Sequence, residues 1–199
     1  MRRFAYTIFL AICTITLLPH RAAAQDNPPA AAASAVTGAR GEFLAQVVYY
    51  EQRYTRLAEA VPAEKYSWRP AEGVRSIGEV YAHIAAANYG IARAFGTPPP
   101  AGIDPKTFNA NAADKAKTVQ ALKDSFAHFR GAILAIKDAD LNNPLKMFGQ
   151  DTTVRGAFYL VSGHDGEHLG QSIAYARQNG IVPPWTEERQ KQEAAKPKP

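Results

Sequence analysis

Four stretches of this chain space their apolar residues three and four apart, and that spacing leaves little freedom over what the chain can become. In the first, Phe43, Val47, Tyr50, Tyr54, Leu57 and Val61 follow one another at 4-3-4-3-4. The second runs Ile77, Val80, Ile84, Ala87, Ile91, and the third Val119, Leu122, Phe126, Phe129, Ile133, Ile136. The fourth carries Ala157 and Val161 on the same rhythm. At 3.6 residues per turn this places one narrow apolar stripe on each helix, the pattern wanted where helices pack at about 20°. No run alternates apolar and polar residues long enough to make a half-buried strand, so no sheet is expected. The expected fold is all-α, a four-helix bundle.

The segment ends agree. Ser76-Ile77-Gly78-Glu79 reads as a capping box opening the second helix, and Asp114 precedes the third. The fourth starts after Thr152 or Thr153 and stops at Asn179-Gly180, with Pro183-Pro184 beyond. The connection 96–113 (GTPPPAGIDPKTFNANAA) is too long and Pro-rich for a tight turn. Either it spans the roughly 30 Å of a 20-residue helix, so that the third helix runs parallel to the second, or it lies over a site as a lid.

The chain ends read differently. Met1-Arg2-Arg3 followed by the uncharged run Phe4 to Leu18, Pro19 and Ala22-Ala23-Ala24 has the layout of a signal peptide over 1–24. The run is too short for a lasting membrane span, for which about 20 residues are needed. The expected protein is exported, periplasmic or extracellular. A flexible leader (25–37) precedes the bundle (38–185), and a disordered charged tail (186–199) follows it. Cys13, the single cysteine, leaves with the signal, so the mature chain has no disulfide, no thiol nucleophile and no thiolate metal ligand. Arg2, Arg3 and Arg21 leave too, so that 20 basic residues face 18 acidic ones, a net of +2. With no basic cluster, that is no footprint for nucleic acid.

The fourth helix is where the stripe turns polar. Read as Ala157, Val161, His164, His168, Gln171, Tyr175, it swaps core positions for two imidazoles and an amide. Buried polar groups are costly unless satisfied, and a metal ion satisfies imidazoles economically. His164 and His168 lie one turn apart, as two ligands of one ion must. His83, beside the seam of the second helix, is the best third ligand. Three histidines with no fourth protein ligand leave a position open for water or substrate. Gln171 would steady the bound group. His128 reads as ordinary packing, and Asp165 and Glu167 as solvated charge off the histidine face. Glu79 either orients His83 or simply closes its capping box. Gly163, Gly166 and Gly170 suggest that something approaches the backbone of this helix closely. Tyr49, Tyr50 and Tyr54 read as packing residues, with a hydroxyl or two near the site.

These residues resemble a family. Tyr66-Ser67-Trp68-Arg69-Pro70-Ala71-Glu72-Gly73-Val74-Arg75-Ser76-Ile77-Gly78-Glu79, leading into Tyr81-Ala82-His83-Ile84, is similar to the helix 1–2 region of DinB-like proteins. His164-Asp165-Gly166-Glu167-His168-Leu169-Gly170-Gln171, then Tyr175-Ala176-Arg177 and Gly180-Ile181-Val182-Pro183-Pro184, resembles their last helix. The resemblance implies an up-down-down-up bundle binding a divalent metal, zinc or nickel, through three histidines that fall on His83, His164 and His168. Relatives include S-transferases and isomerases that use mycothiol or bacillithiol, and metal-dependent hydrolases. Export argues against the thiol chemistry, since such thiols are chiefly cytoplasmic. The expectation is a hydrolase of a small substrate, the alternative a metal- or ligand-binding module without turnover. A small-molecule partner is expected, no nucleic acid and no permanent membrane span, with a homodimer left open.

Overall fold

The computed structural model describes residues 36–196. The expected signal peptide, most of the leader and the last three residues of the tail lie outside that range. Four long helices dominate: α1 (Gly38–Ala60), α2 (Ile77–Ala94), α3 (Lys115–Ala135) and α4 (Val154–Gln178). The last three start where the sequence offers a cap, whereas Thr37 ahead of α1 makes no capping bond. Ser76 and Glu79 close a reciprocal capping box on α2, the Asp114 side chain accepts from the Lys117 N–H, and Thr153 accepts from the Gly156 N–H. The stripes of α1 to α3 fill the core with Phe43, Val47, Tyr54, Leu57, Val80, Ile84, Leu122, Phe126 and Ile133. No helix among the described residues is long and apolar enough to cross a membrane.

One end of the bundle is closed by rings. Phe43 stacks on Phe158 at 4.2 Å between centroids, and Phe95 stacks on Phe129 at 6.3 Å. Edge contacts join the two pairs, Phe43 to Phe129 and Phe95 to Phe158. The cluster thus collects two helix beginnings and two helix ends. Arg40 closes over it, bonding Asp138 at 3.0 Å and the carbonyls of Leu134 and Ile136.

Two expectations fail. A two-stranded antiparallel hairpin, β1 (Pro144–Met147) and β2 (Gln150–Thr153), joins α3 to α4 where no sheet was expected. Four residues per strand are too few for alternation to register. The segment after 185 is not structureless up to 196: Pro184–Ala194 forms an exposed helix, α5. Pro184 opens it, and Glu187 with Lys191 and Arg189 with Glu193 form its i,i+4 pairs. Glu188 pairs with Arg56, and Trp185 lies under the Arg53 guanidinium, 4.3 Å from the ring centroid, tying α5 to α1.

The long connection after α2 turns back along that helix. Its seven-residue 3-10 helix Pro105–Asn111 packs on α2, and Phe108 meets Tyr89 edge-on at 5.8 Å. Gly78 makes this possible, because a Cβ there would sit 1.9 Å from the Ala112 carbonyl oxygen and 3.0 Å from the Tyr66 ring. Gly78→Ala should therefore destabilise the protein by about 1–3 kcal/mol in urea unfolding. Gly163→Ala, whose Cβ meets nothing within 4 Å, should stabilise it by about 0.5–1 kcal/mol.

Candidate metal centre

Beyond the ring-closed end, α2 and α4 run together with His83 facing His164 and His168. Nε2 of His83 lies 3.2 Å from Nε2 of His164, and one ligand atom from each of the three rings falls within 4.8 Å of the others. The ring of His83 is 4.7 Å from that of His168, and His164 is 4.8 Å from His168, both edge-on. A tetrahedral ion with metal–nitrogen bonds of about 2.0–2.1 Å holds its ligand nitrogens about 3.3 Å apart, so the donors fit a divalent metal.

Two of the rings are held from behind. Nδ1 of His168 donates to Oε1 of Gln171 at 2.8 Å, and the Gln171 amide donates to the Tyr175 hydroxyl at 2.9 Å. The Tyr175 ring is set edge-on against Trp68 at 5.5 Å. Nδ1 of His164 sits 3.2 Å from Oδ1 of Asp165. In each case the outer nitrogen is occupied and Nε2 is left for the centre, the arrangement by which ligand tautomers are fixed.

Electrostatics favour the ligating form. Burial, reinforced by the charge on Arg75, pushes His83 down to about 4. His168 is also lowered, first by burial. Both are therefore neutral near pH 7, as a metal requires. Asp165 is raised by burial, against the opposing pull of His164. Its Oδ2 has no hydrogen-bond partner, so a carboxylate directed at a ligand imidazole is left short of positive charge. A cation on the far side of His164 would answer that need.

The hairpin supplies the cover. Phe148 occupies its two-residue turn with φ 51°, followed by Gly149 at φ 80°. Turns of this kind favour Asn-Gly, and a bulky residue there carries backbone strain. The Phe148 ring nonetheless stacks on His164, 5.1 Å between centroids and 28° off parallel, while staying half exposed.

The structure brings together His83, His164 and His168, and it leaves His128 elsewhere, tilted 34° against the Tyr89 ring at 4.9 Å and bonded to the Thr97 carbonyl. Gln171 sits behind His168 and holds its ring. Glu79 closes the capping box and pairs with Arg69 at 3.0 Å, and among the described residues its carboxylate makes no hydrogen bond or ion pair with His83. Asp165 corrects the expectation of solvated charge, since it is fully buried. The reason is register: the buried stripe of α4 runs Ala157, Val161, Asp165, His168, Ser172, Ala176, with His164 and Gln171 on its edge. Glu167 is exposed as expected. Of the three glycines, Gly166 has a close neighbour, the Tyr50 hydroxyl at 3.2 Å from a would-be Cβ, whereas Gly163 and Gly170 face open space. Tyr50 donates to the Ser162 carbonyl and Tyr54 to that of Asp165, while Tyr49 is exposed rather than packed.

Residues 46–172 match the DinB superfamily. The fold is similar to that of a DinB-like protein from Bacillus cereus ATCC 10987, with a TM-score of 0.62 and 20% identity over 71% of this chain and 93% of that one. It is also similar to a DinB-like protein from Bacillus subtilis, with a TM-score of 0.55, again at 20% identity over 71% and 93%. No curated protein matches the sequence.

Asp165→Asn should lower metal affinity about 10–100-fold, read by competition with a chromogenic chelator, because the hold on His164 is weakened. The pH dependence of the metal-free protein has a definite sign. A histidine whose folded pKa is depressed adds stability that is complete above about 6.5 and is lost as pH falls toward the folded value. Thermal melts of the metal-free protein should drop between pH 7 and 4, and His83→Gln should reduce that drop.

Proposed function

The chain belongs to the DinB superfamily, and on that premise we propose that it is an exported metal-dependent hydrolase of a small substrate, with one zinc or nickel ion held by His83, His164 and His168. The observation that carries the reading is the convergence of three imidazole nitrogens within 4.8 Å, two of the rings fixed from behind by Asp165 and Gln171. Such an ion supplies Lewis-acid activation, lowering the pKa of a coordinated nucleophile toward neutrality. The chain's own part is orientation and exclusion. Gln171 and Tyr175 lock the His168 tautomer, Asp165 orients the His164 ring through Nδ1, and Phe148 covers one face of His164. Three protein ligands leave the remaining position to the substrate.

A second reading, a binding module without turnover, is favoured by one specific observation. Two carboxylates beside the histidines are committed elsewhere, Asp165 behind His164 and Glu79 in its capping box and ion pair. Neither is placed to relay a proton to a substrate. Screening esters, amides and thiol conjugates with the metal-loaded protein separates the two. Turnover lost in His168→Ala and kept in His128→Ala supports the enzyme, and tight binding without turnover supports the module.

Purified protein expressed with zinc and nickel available should carry about one divalent ion per chain by elemental analysis, and none in wild type would remove both readings. Binding at about 100 times the dissociation constant stabilises the fold by about 2.7 kcal/mol. Chelation should therefore lower the melting temperature at pH 7.5 and do progressively less as pH falls toward the depressed His83 value of about 4, where protons compete for the imidazoles. His164→Ala should abolish the chelator effect, whereas His128→Ala should leave it intact.

A further inference from the structure

His83 also forms part of the wall of a cavity of about 460 Å³ that the metal-centre reading leaves without an occupant. The cavity opens between the loop ahead of α2, the first turns of that helix and the Pro105–Asn111 segment. Its volume is that of a small-molecule site. Its wall carries Arg69, Arg75 and Lys106 against one carboxylate, Glu79, a net of two positive charges.

The members of this wall are not equivalent. Glu79 accepts from the Ser76 N–H at 2.6 Å and pairs with Arg69 at 3.0 Å, and Arg69 also donates to the Val74 carbonyl at 2.8 Å. Those two charges cancel and serve the fold. Arg75 and Lys106 form no ion pair among the described residues. They come from segments about 30 positions apart in sequence, brought to one cavity by the packing of the 105–111 segment on α2 that Gly78 permits. Arg75 is close enough for its charge to reach His83 and His168. Three neutral imidazoles bring no negative charge to a divalent ion, and Asp165 brings at most one. Two further cations beside such a centre leave the region strongly positive, and a cleft of one sign draws and holds the opposite charge.

We infer that this cavity binds the oxyanion group, carboxylate or phosphate, of a small molecule whose other end reaches the histidines, with Arg75 and Lys106 as its charged partners and the Asn109 amide as a neutral one. A guanidinium meets either oxyanion through two parallel N–H bonds, and a lysine meets it as a point charge. The inference rests on the metal-centre reading for the destination of the ligand's other end, not for the anion's own seat.

Calorimetric titration of the zinc-loaded protein, freed of excess zinc, with succinate, inorganic phosphate and the neutral diamide succinamide tests this. Succinate or phosphate should bind, the tighter of the two identifying the oxyanion, and succinamide should bind at least ten-fold more weakly. Arg75→Gln and Lys106→Gln should each weaken the anion about ten-fold while zinc content stays at the wild-type level. Lys137→Gln, an exposed charge at the ring-closed end, should leave the affinity unchanged. Unaltered affinity in the Arg75→Gln/Lys106→Gln double variant overturns the inference, as does the absence of binding by both anions. Affinity that vanishes on chelation yet survives the double variant also overturns it, because the anion then sits on the metal. A wild type without metal that still binds anion through Arg75 and Lys106 would sink the metal-centre reading and leave the anion site standing.

Discussion

Asp165 is the fully buried carboxylate among the described residues, with one oxygen on His164 and the other without a partner. Removing such a group from water costs several kcal/mol unless it is protonated or meets a positive charge. Burial pushes it toward the protonated form, and the imidazole beside it pulls the other way. The backbone around it is held from a neighbouring helix. Tyr54 from α1 donates to its backbone carbonyl at 2.6 Å, and Tyr50 donates to the Ser162 carbonyl at 3.0 Å. Helix α1 therefore meets this part of α4 through hydroxyls, while α2 meets it through an imidazole. Gly166 is the concession on α4 that lets Tyr50 come near.

The helical frame was legible in the sequence because packing and periodicity are the same information: a stripe spaced at three and four has to be covered by another stripe. The caps at Ser76, Asp114 and Thr153 were legible because their chemistry is local. His83, His164 and His168 stood out as polar groups on or beside apolar seams. Asp165 did not, because two stripes one residue out of register both fit α4, and the one that makes the histidines central makes Asp165 peripheral. Ser172 and Ala176, small residues continuing the Ala157–Val161–Asp165 line, were the signal for the other register. The hairpin escaped because four-residue strands carry too little pattern, and α5 because a charged segment looks the same whether it is a solvated helix or a solvated coil. Arg75 and Lys106 share a cavity through a loop packed on α2, and no local pattern reports contacts of that kind.

Stability and chemistry occupy different ends of the same helices. The Phe43–Phe158 and Phe95–Phe129 stacks close one end with apolar area and no polar demand. The histidines, Asp165, Gln171 and the cationic cavity sit toward the other, where burial is used to shift ionisation rather than simply to exclude water. The strained Phe148 turn belongs with the second group. Its cost is borne at the tip of the hairpin, where a left-handed backbone interrupts no helix.

His83 and His164 lie 81 positions apart, one on α2 and the other on α4. An ion shared between them would be a covalent-like tie across most of the bundle, closing a loop that takes in α3 and the hairpin. In a simple chain-entropy account, pinning a loop of that length removes about 4.5 kcal/mol worth of freedom from the unfolded chain. A disulfide is the commoner covalent tie of this kind, and no cysteine lies among the described residues. Imidazoles and a metal would give the same fold a staple that opens with acid or a chelator instead of with a reductant.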